Sequence, residues 1–277
     1  MLSAIRQTLF VLIILTLHLP AALAVGVDDA SAAPESAFET LSAVEEVDSL
    51  DAGPSGSLTP GRMGLYESAL MPREGHGAWT SINLGLHRFD YAVSDHVQLG
   101  VTTLVPIGVF AALPEIKVGG ELMDNLHLAV TARVGGVLGP EGDLVITYGG
   151  NALLTYGNED YHLTAGLHAY GANFPERGTA TGWIVHPSLG GVIRMADFAL
   201  FHVDVGPAIL GVSGHEVMDA PSQDDSINLF AVKYGVRFHG DNCFGDVAFL
   251  VPGVEEWSEM ASILPLGLPS LTFGYAF

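Results

Sequence analysis

Pro269-Ser270-Leu271-Thr272-Phe273-Gly274-Tyr275-Ala276-Phe277 closes the chain, and its alternation decides the fold. Leu271, Phe273, Tyr275 and Phe277 fall on one face of an extended strand, and Thr272, Gly274 and Ala276 fall on the other. Four bulky apolar side chains aim one way with no charge behind them. Two folds accommodate such a strand: an apolar-in sandwich in water, or an apolar-out barrel in lipid. The sequence upstream must choose between them.

Working back from that end, alternating runs meet at tight Asp/Asn turns. These turns are Tyr91-Ala92-Val93-Ser94-Asp95-His96-Val97, Leu122-Met123-Asp124-Asn125-Leu126, Tyr156-Gly157-Asn158-Glu159-Asp160-Tyr161, Met195-Ala196-Asp197-Phe198 and Phe238-His239-Gly240-Asp241-Asn242-Cys243-Phe244. Asp, Asn and Gly tolerate the left-handed backbone of a tight hairpin. Longer connections fall near 105–114, 138–143, 173–180, 212–226 and 252–262. Short turns on one side and long loops on the other is the asymmetry of a membrane barrel. Strands at roughly 77–92, 97–106, 114–123, 126–137, 143–157, 161–172, 181–195, 198–211, 227–238 and 243–252 give ten, and 264–277 adds one. A first strand at Arg62 to Met71 completes an all-β, closed antiparallel barrel of about twelve, with ten as the alternative. Arg73-Glu74-Gly75-His76 is then the first outer loop.

The two faces differ in kind. Leu126, Leu128, Val130, Ala132 and Val134 oppose His127, Ala129, Thr131, Arg133 and Gly135. Tyr161, Leu163, Ala165, Leu167 and Ala169 oppose His162, Thr164, Gly166, His168 and Tyr170, and Phe230 to Phe238 repeats the pattern around Lys233 and Arg237. The polar face is rich in Gly, Thr, His and Ala and poor in the Lys and Glu that solubilise an exposed sheet. Such residues suit a crowded, hydrated barrel interior. Aromatics gather beside the short turns: Phe89, Tyr91, Tyr156, Tyr161, Phe198, Phe238, Phe244, Tyr275 and Phe277, as an interfacial girdle requires. Val97 to Pro114 is uncharged, but Gly, Pro106 and the alternation from Val97 to Thr102 read as strand and not as a membrane helix.

Two stretches resemble known proteins. The ending at Phe273, Tyr275 and Phe277 resembles the closing strand of bacterial outer-membrane β-barrels, where the barrel-insertion machinery reads the terminal aromatic. Gly75-His76-Gly77-Ala78-Trp79, Asn83, and Phe89 to Gly100 resemble the opening hairpin of a group of uncharacterised outer-membrane barrels. The resemblance implies a fold, an outer-membrane location, a lipid surround and insertion through the last strand. It implies no activity.

The other end fits a secreted route. Residues 1–24 carry one charge, Arg6, an apolar run from Leu9 to Leu17, and Ala22-Leu23-Ala24 for cleavage after Ala24. Residues 25–60 hold eight Asp or Glu and no Lys or Arg, a composition that cannot bury enough apolar surface to order itself. They read as a disordered acidic linker, or as a partner-binding arm or lumen plug, ahead of the barrel at 61–277. With 10 Lys and Arg against 31 Asp and Glu, net −21, nucleic-acid binding is excluded. Cys243 is the only cysteine, so neither an intramolecular disulfide nor a paired-cysteine metal site can form.

Candidate functional residues lie on the predicted inner face: His127, Arg133, His162, His168, His186, Arg194, His202, Asp204, Lys233 and Arg237, with His87 and Lys117. His162 and His168 sit six apart on one strand, about 20 Å, too far to share an ion, so no metal or other cofactor is expected. Ser188, His186 and Asp204 are conceivable members of a hydrolytic set, but no nucleophile motif surrounds Ser188, and no enzyme is expected. Acidic loops at Glu216, Asp219, Asp224 and Asp225 and at Glu255, Glu256 and Glu259 read as hydrated charge. The expected function is a porin-like passive channel for small solutes, selected by the inward charges. The alternatives are a non-conducting structural or surface-binding barrel and, third, a barrel enzyme acting on lipid.

Overall fold

A computed structural model describes residues 62–63, 66–83, 85–104, 110–139, 144–174, 180–213, 227–252 and 266–277. The signal segment, the acidic linker and the acidic loop residues from Glu216 to Asp225 and Glu255 to Glu259 lie outside them. Twelve strands close an antiparallel barrel: β3 (Gly77–Ile82), β4 (Leu86–Ser94), β5 (Val97–Leu104), β6 (Phe110–Met123), β7 (Leu126–Leu138), β8 (Leu144–Gly157), β9 (Tyr161–Phe174), β10 (Ala180–Ala196), β11 (Ala199–Ser213), β12 (Ile227–His239), β13 (Cys243–Pro252) and β14 (Leu268–Ala276). Each strand pairs with its neighbours in sequence, and β14 closes on β3.

The closing seam rests on the terminal residues. Tyr275 sits opposite Trp79 and Phe273 opposite Ser81. Gly77 and Phe277 then exchange both backbone hydrogen bonds, at 2.7 and 2.9 Å. Leu271, Phe273, Tyr275 and Phe277 are exposed on the outside, while Thr272 and Ala276 are buried inside. Gly274 is required at its position. A Cβ there would lie 2.2 Å from Phe244 Cζ and 2.6 Å from the Trp79 carbonyl oxygen.

The exterior is apolar on every wall. Phe89, Val130, Leu154, Leu167, Leu189, Phe230 and Leu271 are all exposed, while Lys117, His202, Arg237 and Asp246 are buried. That inverts the arrangement of a water-soluble protein and matches a transmembrane barrel, whose closure pairs wall backbone strand to strand. The girdle beside the short turns includes exposed Tyr91, Tyr156, Tyr161, Phe198, Phe238 and Tyr275, with Leu122, Met123 and Met195 filling the remaining turns. Asn125, with φ of 62°, supplies the left-handed turn residue between β6 and β7.

Twelve strands arise by a different division from the one the sequence suggests. Arg62 to Met71 is not a wall strand. Its two short pieces, β1 (Arg62–Met63) and β2 (Tyr66–Glu67), pair only with each other, and residues 66–70 cross the lumen. The expected strand 77–92 instead breaks into β3 and β4 at Asn83, whose φ of 47° turns the chain. The first outer turn therefore follows Ile82, where Asn83 takes its positive φ and Gly85 N–H donates to the Ile82 carbonyl. Arg73 to His76 lies with the short turns, where Glu74 N–H donates to Asp95 Oδ1 at 2.8 Å and Gly75 N–H to the Ala92 carbonyl at 2.9 Å.

This division lowers one side of the wall. β3 has 6 residues and β10 has 17. Six residues rise about 20 Å along the strand, roughly 15 Å along the axis of a barrel tilted about 40°. The outer apolar band is about 25 Å tall. The hairpin tip is clamped to β14, because Asn83 and Leu271 exchange bonds of 2.8 and 2.7 Å. Among the described residues β14 runs on past this clamp without a partner on that side. Backbone alternation makes residue 269 the next to face the gap, and Pro269 has no N–H to leave unpaired in lipid.

Candidate functional site

Alternation sends one residue in two into the lumen, and barrel closure brings those residues together. His127, Arg133, His162, His168, His186, Arg194, His202, Asp204, Lys233 and Arg237 all share the parity of the buried face. His87 does not. It alternates with the outward Phe89 and Tyr91 and stacks on Trp79, with centroids 6.0 Å apart. Phe244 is displaced the other way: it is buried inside, under the Arg237 guanidinium at 4.3 Å, and is no part of the outer girdle.

The charges form three cross-wall groups. On β4, Arg88 holds Asp90 through two bonds of 2.6 and 2.8 Å and reaches past β5 to Glu115 on β6 at 2.7 Å. Glu115 also meets Arg133 of β7 at 3.2 Å, and Arg133 lies 3.9 Å from Glu67 and over the Tyr170 ring at 4.8 Å. Asn151 donates to the same Glu67. In the second group Lys233 donates to Asp204 at 2.9 Å, its register partner on β11, with His186 Nε2 at 4.0 Å. In the third, Arg237 forks onto Asp246 at 2.7 and 2.9 Å. Arg194 is separate. It lies at the short-turn mouth, where it donates to Asp160 and to the Asp197 carbonyl, tying two turns together.

Arg88, Asp90, Glu115, Asp246 and Glu67 were not among the sequence candidates. Arg88 and Asp90 carry a legible signal, since they flank Phe89 on an alternating run. The Arg88–Glu115 reach across an intervening strand depends on wall curvature, which no local pattern encodes.

The lumen histidines His186, His162 and His168 bond to backbone carbonyls or to the Ser188 hydroxyl. Among the described residues no cluster of three or more His, Cys, Asp or Glu could hold a metal. His186 Nδ1 donates to the Pro207 carbonyl at 2.8 Å, and His162 Nδ1 to the Asn158 carbonyl at 2.7 Å, because a carbonyl can only accept. The Ser188 hydroxyl is partnered by His168 Nε2 at 3.3 Å, not by His186. The grouping of Ser188 with His186 and Asp204 is therefore not assembled as a relay. His168 instead stacks on His186 at 5.6 Å.

Residues 66–70 form a strap through this interior. The Tyr66 hydroxyl donates to Thr164 Oγ1 at 2.7 Å, and its ring lies against His162 and His202 at 5.6 and 6.1 Å, beside Val192 and Leu200. Ala69 N–H donates to Thr155 Oγ1 at 2.7 Å, and Thr155 and Thr164 share a bond of 2.8 Å. The Lys117 ammonium donates to the carbonyls of Ser68 at 2.8 Å and Leu70 at 3.0 Å. Tyr66 and Lys117 are each 1% exposed, so at this level the strap and the wall side chains pack against one another.

No family model matches the chain, and no curated protein does. Solved structures similar to it include the NanC porin, 8% identical over 73% of this chain and 98% of that one, with a TM-score of 0.45. LpxR from Salmonella typhimurium is 10% identical over 73% and 99%, with a TM-score of 0.38. The translocator domain of the autotransporter NalP from Neisseria meningitidis is 9% identical over 73% and 86%, with a TM-score of 0.33. At these values the likenesses bear on neither activity nor substrate, and the barrel stands on its own closed ladder of strands.

Proposed function

We propose that the protein is an outer-membrane β-barrel of Gram-negative type that is shut in the conformation described. A cleaved signal would deliver the chain to the periplasm, and the insertion machinery would read Phe273, Tyr275 and Phe277. The observation that carries the shut state is the burial of Tyr66, Lys117, His202 and Arg237 together inside one ring of strands. A bore lined by these groups would leave them wet. Instead Lys117 is bonded to the strap, the Tyr66 ring of the strap lies against His202, and Arg237 is paired with Asp246.

The reading assigns no reaction to the lumen. Ser188 has a base beside it, but the carboxylate Asp204 is committed to Lys233. A passive channel for small solutes is the second reading. It is favoured by one observation: the strap is a segment separate from the wall, so its departure would leave a charged passage between opposite strands.

Outer-membrane fractionation with heat-modifiable gel migration tests location and closure. Planar-bilayer recording of the mature chain then tests the shut state, with no single-channel steps expected at low voltage. Frequent long-lived steps from the unaltered chain would replace the shut barrel by an open channel.

A further inference from the structure

The wall residues that meet the strap are arranged around a peptide, not around water. Lys117 takes two carbonyls two residues apart, those of Ser68 and Leu70, while Thr155 takes the amide of Ala69 between them. Thr164 accepts from the Tyr66 hydroxyl three residues before that amide, and Val192 and Leu200 pack on the ring. One ammonium, two linked hydroxyls and one aromatic pocket thus read a single short segment at four points.

These groups come from β6, β8, β9, β10 and β11, so no local hairpin requires them to converge. With the strap gone, the Lys117 ammonium would lose two buried acceptors, and incoming water would take their place. Strap departure and hydration of the lumen are therefore one event.

We propose that this constellation is a peptide-binding site whose ligand is the chain's own segment Tyr66–Leu70, and that the segment is a releasable stopper of the barrel. The proposal rests on the reading of a lipid-embedded, shut barrel. Binding is non-covalent and reversible, and the same site takes the segment when it is supplied as a free peptide.

The test uses the full mature chain in planar bilayers, with folding checked by heat-modifiable migration. Tyr66→Ala combined with Ala69→Asp removes the ring and places a carboxylate where Ala69 is 0% exposed. This variant is expected to show single-channel steps. A free peptide spanning Arg62–Met71 is expected to close them, and a scrambled peptide of the same composition is not. Tyr66→Phe removes one buried hydrogen bond and should raise opening frequency roughly tenfold. If the double variant does not fold, Tyr66→Phe carries the test, since it deletes a single oxygen. A disulfide between Ala69→Cys and Thr155→Cys, in a Cys243→Ser background, should abolish opening until reduced.

Folded variants that stay silent would overturn the stopper. Steps that the native peptide fails to close would overturn the peptide site. Either result leaves the shut barrel standing, whereas steady conductance from the unaltered chain would overturn the shut barrel itself.

Discussion

Removing Asp246 should destabilise the barrel far more than removing Asp246 and Arg237 together. Arg237 is 1% exposed and Asp246 2%, and the two are joined by bonds of 2.7 and 2.9 Å across the β12–β13 register. Asp246→Ala takes both Asp246 oxygens from a guanidinium held inside the barrel. Breaking such a pair costs about 3–5 kcal/mol. The Phe244 ring, 4.3 Å beneath the guanidinium, contacts it before and after the change and so leaves that cost standing. The expectation is a loss of about 3 kcal/mol or more. Arg237→Met with Asp246→Leu replaces the pair by apolar groups of similar volume and should fall within about 1 kcal/mol of the unaltered protein. The assay is urea unfolding of the chain folded into vesicles, followed by tryptophan emission and by the heat-modifiable gel band. An Asp246→Ala variant within about 1 kcal/mol of the parent would refute the reasoning, as would a double variant less stable than the single one.

Further outcomes follow from the wall and the seam. Leu167→Arg, on the outer face of β9, should cost about 2–4 kcal/mol if it sits near the bilayer centre, read by the same urea titration. Gly274→Leu should prevent closure, because its Cβ would meet Phe244 Cζ at 2.2 Å, and the heat-modifiable band should vanish. Deleting Phe277 removes both bonds to Gly77 and should lower the outer-membrane yield in cells, measured by fractionation. Cys243 is exposed at the short-turn end of β13, so an impermeant thiol reagent should label it only after the outer membrane is breached.

Alternation made most of the wall legible from sequence, because a period of two is local and survives in every strand from β7 to β14. The first third of the chain was less legible for a physical reason. Tyr66-Glu67-Ser68 alternates like a wall strand, and nothing local distinguishes a strand paired in the wall from a segment crossing the lumen. Asn83-Leu84-Gly85 is a turn signature, but the apolar positions on either side of it keep the same parity, which hides the break. The two differences cancel in the strand count. For the interior, parity alone placed His162, His168, Lys233 and Arg237 on the inner face. Their partners were hidden, since Arg88 with Glu115 and Tyr66 with Thr164 depend on which strands face each other across a closed ring.

Site-directed spin labelling along β9 tests the inside-out arrangement most directly. Single cysteines at positions 161–168, in a Cys243→Ser background, would each carry a nitroxide in lipid vesicles. Labels replacing Tyr161, Leu163, Ala165 and Leu167 should collide with oxygen dissolved in the bilayer, and those replacing His162, Thr164, Gly166 and His168 should be shielded from it. Free access of a water-soluble relaxation agent to the first set, in protein that stays folded and monomeric without lipid or detergent, would contradict the account.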